Sequence, residues 1–129
     1  MVETIEGLQA VTVHISDVDR ARKFYGEVLG FKEVAFNKEF SRLSYAIPGS
    51  PTFLNMHVMG PNEGGRPPGT VSGVVFTHHD PAALAADLRG RGVTITENPE
   101  KVQFANLTFV RTVFADPDGN EFIVRSPPS

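Results

Sequence analysis

Two histidines have the widest range of possible chemical roles in this chain, which contains no cysteine. His14 and His57 each lie in a segment with the alternating pattern of a β-strand. His14 shares its strand face with Ala10, and His57 shares its face with Asn55. An imidazole titrates near neutral pH, so each ring is able to hydrogen-bond a ligand, bind a metal ion or act as a general base. A structural role for His14 at the start of a helix is the alternative.

Charged residues in two later strands are further candidates. Arg111 interrupts an otherwise apolar segment, which favours contact with an anion. Glu121 and Arg125 share a face with Ile123, where they are able to pair with each other or with a ligand, or to form a solvated edge. The adjacent pair His78-His79 would point to opposite faces of a strand and is therefore a poor site for one ion.

The composition of the 129 residues predicts one globular domain. The formal net charge is -3 without a basic block, which argues against a nucleic-acid partner. No apolar run approaches the roughly 20 residues of a membrane span, and no signal peptide is recognisable. The absence of cysteine rules out disulfides and thiolate metal sites. We therefore expect a cytoplasmic protein with no membrane partner.

The elements that position these residues form a repeat. Asp17 and Asp80 lie 63 positions apart, and each follows an apolar strand and precedes residues at helical spacing. An aspartate at this place caps the first free amides of a helix. Gly30 and Gly92 end the two helices. The chain therefore predicts a strand, a helix and three further strands, twice.

We expect an α+β fold of two such βαβββ modules, with curled mixed sheets that form a cupped pocket. The first module spans about residues 5–59, a linker rich in proline and glycine spans 60–70, and the second module spans about 71–126. Residues 98–106 are predicted to form an irregular loop between two strands of the second module.

Three stretches give this chain a resemblance to a known family: residues 13–31, residues 73–93, and the turn of sequence Asp-Pro-Asp-Gly-Asn at 116–120 before the last strand. Together they resemble the vicinal oxygen chelate superfamily, which includes glyoxalase I, bleomycin resistance proteins and extradiol dioxygenases. The resemblance covers nearly the whole chain and implies the paired βαβββ fold with its cupped pocket.

The resemblance also implies where a divalent metal would be held. The four positions that usually supply its ligands are occupied here by Ala10, Asn55, Gly73 and Ile123. Alanine, glycine and isoleucine have no donor atom, and asparagine is a weak ligand for a transition metal. An alignment shifted by two residues would place His57 in the ligand position instead of Asn55.

Further site residues follow from the resemblance. Gln103 and Phe104 fall in the segment that often covers the ligand in the family. The predicted ligand-binding set is therefore Asn55, His57, His14, Gln103, Phe104, Arg111 and Glu121.

Three functions are compatible with these residues. The first is a protein that binds a small organic molecule in the cup without the usual metal and needs no cofactor. The second is a lyase, isomerase or dioxygenase with Zn, Ni, Mn or Fe held by His14, His57 and a further donor. The third is a metal-free enzyme with His14 or His57 as the base. Members of the family commonly pair, so we expect a homodimer.

Overall fold

The described chain consists of residues 5–58 and 67–127 of a computed structural model, and it folds into two four-stranded sheets with helices against one side of each. The first sheet has the strand order β1-β4-β3-β2, with β1 parallel to β4 and the other pairs antiparallel. Its elements are β1 (Ala10–Ile15), a helix α1 (Val18–Ala21, continuing as a π-helix over Arg22–Val28), β2 (Lys32–Asn37), β3 (Arg42–Ala46) and β4 (Phe53–Val58).

The second sheet repeats this arrangement with the order β5-β8-β7-β6 and the same parallel pairing of its first and last strands. Its elements are β5 (Val74–Thr77), α2 (Pro81–Gly90), β6 (Thr94–Phe104), β7 (Leu107–Ala115) and β8 (Glu121–Arg125). The predicted α+β fold of two βαβββ modules is therefore confirmed. Most of the predicted linker at 60–70 lies outside the described residues, which resume at 67. None of the described helices has the length and apolar character needed to cross a membrane.

Both helices begin as their sequences predict. The Asp17 carboxylate accepts a hydrogen bond from the amide of Arg20 at 2.8 Å, and the Asp80 carboxylate accepts one from Ala83 at 3.1 Å. Each aspartate thus satisfies an amide that has no partner within the helix.

The first helix departs from regular α geometry after its first turn. The amide of Leu29 donates to the carbonyl of Phe24 at 2.9 Å, which is the wider spacing of a π-helix. Within this segment, the neighbouring residues Phe24 and Tyr25 are both buried. The helix therefore presents two adjacent aromatic rings to the core.

The prediction of an irregular loop over residues 98–106 is wrong for most of that segment. Strand β6 runs as far as Phe104, with pairing irregularities between Ile95 and Glu97 and between Glu97 and Glu100. Because β6 is an edge strand, the missing amide of Pro99 does not break the sheet. The turn itself is short and passes through Ala105, whose φ is 55°.

The hydrophobic core lies on the helix side of both sheets and joins the modules. Phe24 of α1 lies against Phe114 of β7, with ring centroids 6.3 Å apart. Phe31, just after α1, meets Phe76 of β5 edge to face at 5.8 Å. These aromatic contacts cross from one module to the other, so the two sheets share one core.

A buried polar network lies at one end of the interface between the two modules, which we call the seam. The hydroxyl of Tyr25 in α1 donates to Asp116 Oδ2 at 2.5 Å. The Asn120 amide group donates to the same carboxylate and to the carbonyl of His14, both at 2.8 Å. Tyr25 and Asn120 have no exposed surface, and Asp116 is 6% exposed. The turn at 116–120 thus ties its own module to β1 and α1 of the other, and we call Tyr25, Asp116 and Asn120 the clip.

Loss of the Tyr25 hydroxyl should destabilise the fold more than loss of the other tyrosine hydroxyl. Tyr25→Phe removes a hydrogen bond to a buried carboxylate, so we expect the free energy of unfolding to fall by roughly 1.5–3 kcal/mol. Tyr45→Phe is the matched control, because its hydroxyl interacts with the partly exposed Glu33 and its loss should cost under about 1 kcal/mol. Urea unfolding followed by circular dichroism measures both, and equal losses would contradict a special role for the clip.

Alkaline pH should weaken the fold through the same two tyrosines. Burial and the neighbouring Asp116 raise the pKa of Tyr25, and burial with Glu33 raises the pKa of Tyr45 to about 12. The unfolded tyrosines ionise near pH 10 while the folded ones stay neutral, so stability is full below about pH 10 and is lost as the pH rises beyond it. These are the two tyrosines of the chain. Between pH 8 and 10.5, the free energy of unfolding of the double Phe variant should therefore fall less than that of the wild type. Identical pH slopes for the two proteins in urea unfolding would refute the assignment.

Candidate functional site

The face of the first sheet that points away from the helices carries three of the predicted site residues, His14, His57 and Asn55. We call this the first open face. Strand register places His14 beside His57 and Thr12 beside Asn55. These residues alternate with core residues such as Val13 and Met56, so they lie on the opposite side of the sheet. The alternation of the sequence predicts this shared face correctly.

The two histidines of the first open face are close enough to act on one ligand. Their ring centroids lie 6.2 Å apart with an interplanar angle of 61°, and both residues are partly buried. The oxygen of Asn55 accepts a hydrogen bond from the Ser44 hydroxyl at 2.7 Å. The face therefore offers two imidazoles beside small and hydroxyl-bearing side chains, a surface suited to hydrogen-bonding a ligand.

The corresponding face of the second sheet, the second open face, carries two arginines, acidic residues and an aromatic ring. Arg111 of β7 lies directly beside Arg125 of β8. The guanidinium of Arg125 lies over the Phe109 ring, 5.1 Å from its centroid, and Arg111 pairs with Glu97 at 2.7 Å. A flat cation stacked on an aromatic ring is suited to a planar ligand with negative charge.

The remaining predicted residues divide between the two sides of the second sheet. Glu121 begins β8 opposite Ala115, which places it on the second open face. Phe104, near the end of β6, shares the face of Phe109 and is 69% exposed. Gln103 alternates with Phe104 and therefore points to the other side. His14, His57 and Asn55 are thus grouped on one sheet, and Arg111, Glu121 and Phe104 on the other.

The positions implied for a metal do not fit one. Ala10 and Ile123 lie on the two open faces without any donor atom, and Gly73 precedes β5 in a backbone conformation with φ of 89°. The fourth position, Asn55, has its oxygen engaged by Ser44. Over residues 5–58 and 67–127, the structure contains no group of three or more His, Asp or Glu side chains arranged to hold an ion. A transition metal needs about three convergent donors.

A separate cavity lies on the helix side, in the seam between the modules. Its volume is about 870 Å³. Its walls come from both modules and from both helices, and they include Val11, Leu54, Val28, Val74, Leu84 and Leu88. None of the seven predicted ligand-binding residues lines it. The chain therefore has two candidate places for a ligand, on opposite sides of its sheets.

Two parts of this arrangement go beyond the sequence-based prediction. Phe109 was not singled out, although its two-residue spacing from Arg111 places both on one face of a strand. The seam cavity was also missed, because its walls are apolar residues that read as ordinary core. Their sequence pattern gives no sign of how closely the two modules approach.

Comparison with known proteins gives matches along nearly the whole chain. A family model described as the glyoxalase/bleomycin resistance protein/dioxygenase superfamily matches residues 7–124. A superfamily member from Sphaerobacter thermophilus is 30% identical, with a TM-score of 0.84 over 95% of this chain and 98% of that one.

Two similar structures come from Streptomyces sp. CB03234. TnmS3, described as an antibiotic binding protein, is 29% identical, with a TM-score of 0.82 over 98% of this chain and 99% of that one. A glyoxalase/bleomycin resistance protein from the same organism is 28% identical, with a TM-score of 0.74 over 92% and 98% of the two chains.

Proposed function

The chain belongs to the glyoxalase/bleomycin resistance protein/dioxygenase superfamily, and we propose that it binds a small organic molecule at its open faces without a metal ion. The observation that carries this is the composition of those faces. Three of the four usual metal positions hold Ala10, Gly73 and Ile123, whereas the neighbouring side chains are able to hydrogen-bond or stack. The similarity to TnmS3, described as an antibiotic binding protein, supports the same class of function.

The second open face indicates the chemistry of the ligand. Arg125 and Arg111 are neighbours, and the Arg125 guanidinium is already stacked on Phe109. On the other sheet, the imidazoles of His14 and His57 are able to donate or accept hydrogen bonds. A planar aromatic molecule with a carboxylate or another acceptor group would satisfy both faces.

A homodimer would bring these faces together. The histidines and the arginines lie in different sheets of one chain, so a partner copy is able to supply the second wall. The open faces also expose large apolar side chains, namely Phe53 (37%), Val75 (44%), Phe104 (69%) and Leu107 (41%). Exposed apolar groups of this kind favour burial against another copy. We therefore propose that the first open face of one copy meets the second open face of its partner.

A metal-dependent lyase, isomerase or dioxygenase is the second candidate. The observation in its favour is that His14 and His57 are in register on adjacent strands, with rings 6.2 Å apart. Two imidazoles are fewer than the three protein donors of a usual catalytic site. This candidate therefore requires a further donor, and the first remains the better supported.

Metal loading separates the two candidates. We expect protein stripped with chelator and then offered Zn, Ni, Mn or Fe(II) to take up no stoichiometric metal, because the usual positions lack donors. Bound metal is measured by mass spectrometry, together with the thermal shift. Stoichiometric uptake that disappears in His57→Ala would overturn the metal-free function and favour the enzyme.

Calorimetric titration of the metal-stripped protein tests the ligand chemistry. We expect 2-naphthoate to bind more tightly than the uncharged 2-naphthamide, and Arg125→Gln to weaken naphthoate binding about tenfold by removing a charge-assisted hydrogen bond. Lys38→Gln, in the turn before β3, is the matched control and should bind as the wild type does. Equal affinity for the acid and the amide would contradict an anion-binding wall.

Light scattering after size exclusion tests the assembly. We expect the wild type at twice the chain mass of 14.0 kDa. Phe104→Lys combined with Leu107→Lys should give the single-chain mass, because two charges would be buried in the interface. Phe40→Lys changes a residue that is 58% exposed in the turn before β3 and should leave the dimer intact. A wild type of 14.0 kDa would refute the dimer.

A further inference from the structure

The two ends of the seam between the modules are related by the internal repeat, but they are filled differently. At one end, the Tyr25 side chain reaches the turn before β8 and completes the clip. The residue 63 positions after Tyr25 is Leu88, and the turn before β4 contains Pro48 and Gly49. Leu88 and this turn face the seam cavity. Where one end holds a hydrogen-bonded network, the other end therefore holds open space.

From this asymmetry we infer that the seam cavity is a second binding site, for a small uncharged apolar molecule. Its volume of about 870 Å³ lies within the range of about 300–1,000 Å³ that is usual for ligand pockets. Most of its lining is aliphatic or aromatic and comes from both modules. An apolar molecule would gain contacts with these walls that water does not supply.

The charges at the cavity favour a neutral occupant. Among the described residues that line the cavity, Asp87 and Arg91 are the only ones of the types Asp, Glu, Lys and Arg. These two pair with each other at 3.2 Å, and Arg91 also donates to the carbonyl of Val28 at 3.0 Å. Because the two charges are of opposite sign and already paired, an ion entering the cavity would lose its hydration without finding a free partner.

One polar residue in the cavity wall, His78, is able to donate a hydrogen bond to the molecule. The Nδ1 atom of His78 accepts a hydrogen bond from the amide of Asp80 at 2.9 Å. A neutral imidazole that accepts at Nδ1 carries its proton on Nε2. His78 lines the cavity and so offers one donor to a carbonyl, ether or hydroxyl oxygen.

Most of the cavity lining lies on the helix side of the sheets, and Val75 and Thr77 of the edge strand β5 are residues that it shares with the second open face. Val11 and Leu54 line the cavity, whereas Ala10 and Asn55, adjacent to them in sequence, lie on the first open face. On the second sheet, Val124 lines the cavity and Arg125 lies on the open face. Successive side chains of one strand thus reach two different sites.

The test uses the neutral fluorescent probe N-phenyl-1-naphthylamine with the full chain. We expect enhanced fluorescence with saturable binding, and Leu84→Trp should weaken it at least about tenfold by filling the cavity. Ala86→Trp adds the same ring to an exposed position of α2 and should bind the probe as the wild type does. Because Leu84 is only partly buried, Leu84→Trp should stay folded. Val28→Phe, at the other side of the cavity, is the second filling variant.

The two sites are told apart by exchanging variants and probes. Arg125→Gln should leave binding of the neutral probe unchanged, and Leu84→Trp should leave binding of 2-naphthoate unchanged. The seam site is refuted if the probe shows no saturable binding, or if both filling variants bind it as the wild type does. Loss of probe binding in Arg125→Gln would assign the probe to the open face instead. Binding that weakens as protein concentration rises would show that a second copy occupies the cavity, which also overturns the inference.

Discussion

The fold depends on a carboxylate that is buried where two modules meet. Asp116 is 6% exposed, and a buried carboxylate is tolerated only when donors surround it. Its donors are the Tyr25 hydroxyl, the side-chain amide of Asn120 and the backbone amides of Asp118 and Asn120. One of these donors comes from the other module, and Asn120 also holds the β1 carbonyl of His14. The two modules must therefore keep one relative position, which sets where each open face points.

The internal repeat gives the seam two related ends, but the hydrogen-bonded clip forms at only one of them among the described residues. A hydroxyl and a carboxylate meet at the closed end of the seam, and this pair requires both partners. At the other end, Leu88 occupies the position related to Tyr25 by the repeat, and its side chain cannot donate to a buried acid. An acid there would carry the full cost of desolvation, so apolar residues are the compatible choice. The open cavity thus lies at the end of the seam where the position related to Tyr25 holds Leu88.

The sequence predicts local features well and inter-module features poorly. The caps at Asp17 and Asp80, and the shared face of His14 and His57, depend on spacing of a few residues and are seen in the structure. The predicted loop over residues 98–106 is wrong for most of that segment, because an edge strand tolerates Pro99 within it. The cavity depends on how two modules pack, a property to which no single stretch of sequence corresponds. Its trace in the sequence is the mismatch of Tyr25 with Leu88 across the repeat.

Because successive side chains of a β-strand point to opposite sides, the two faces of one sheet can differ in composition. Every second residue of β1 and β4 packs into the core or lines the seam cavity, and the residues between them form the first open face. A donor can therefore be lost at Ala10 while Val11 continues to support the core. Side chains on the open faces are thus free to change without disturbing the core, whereas the seam is constrained by the buried carboxylate of the clip.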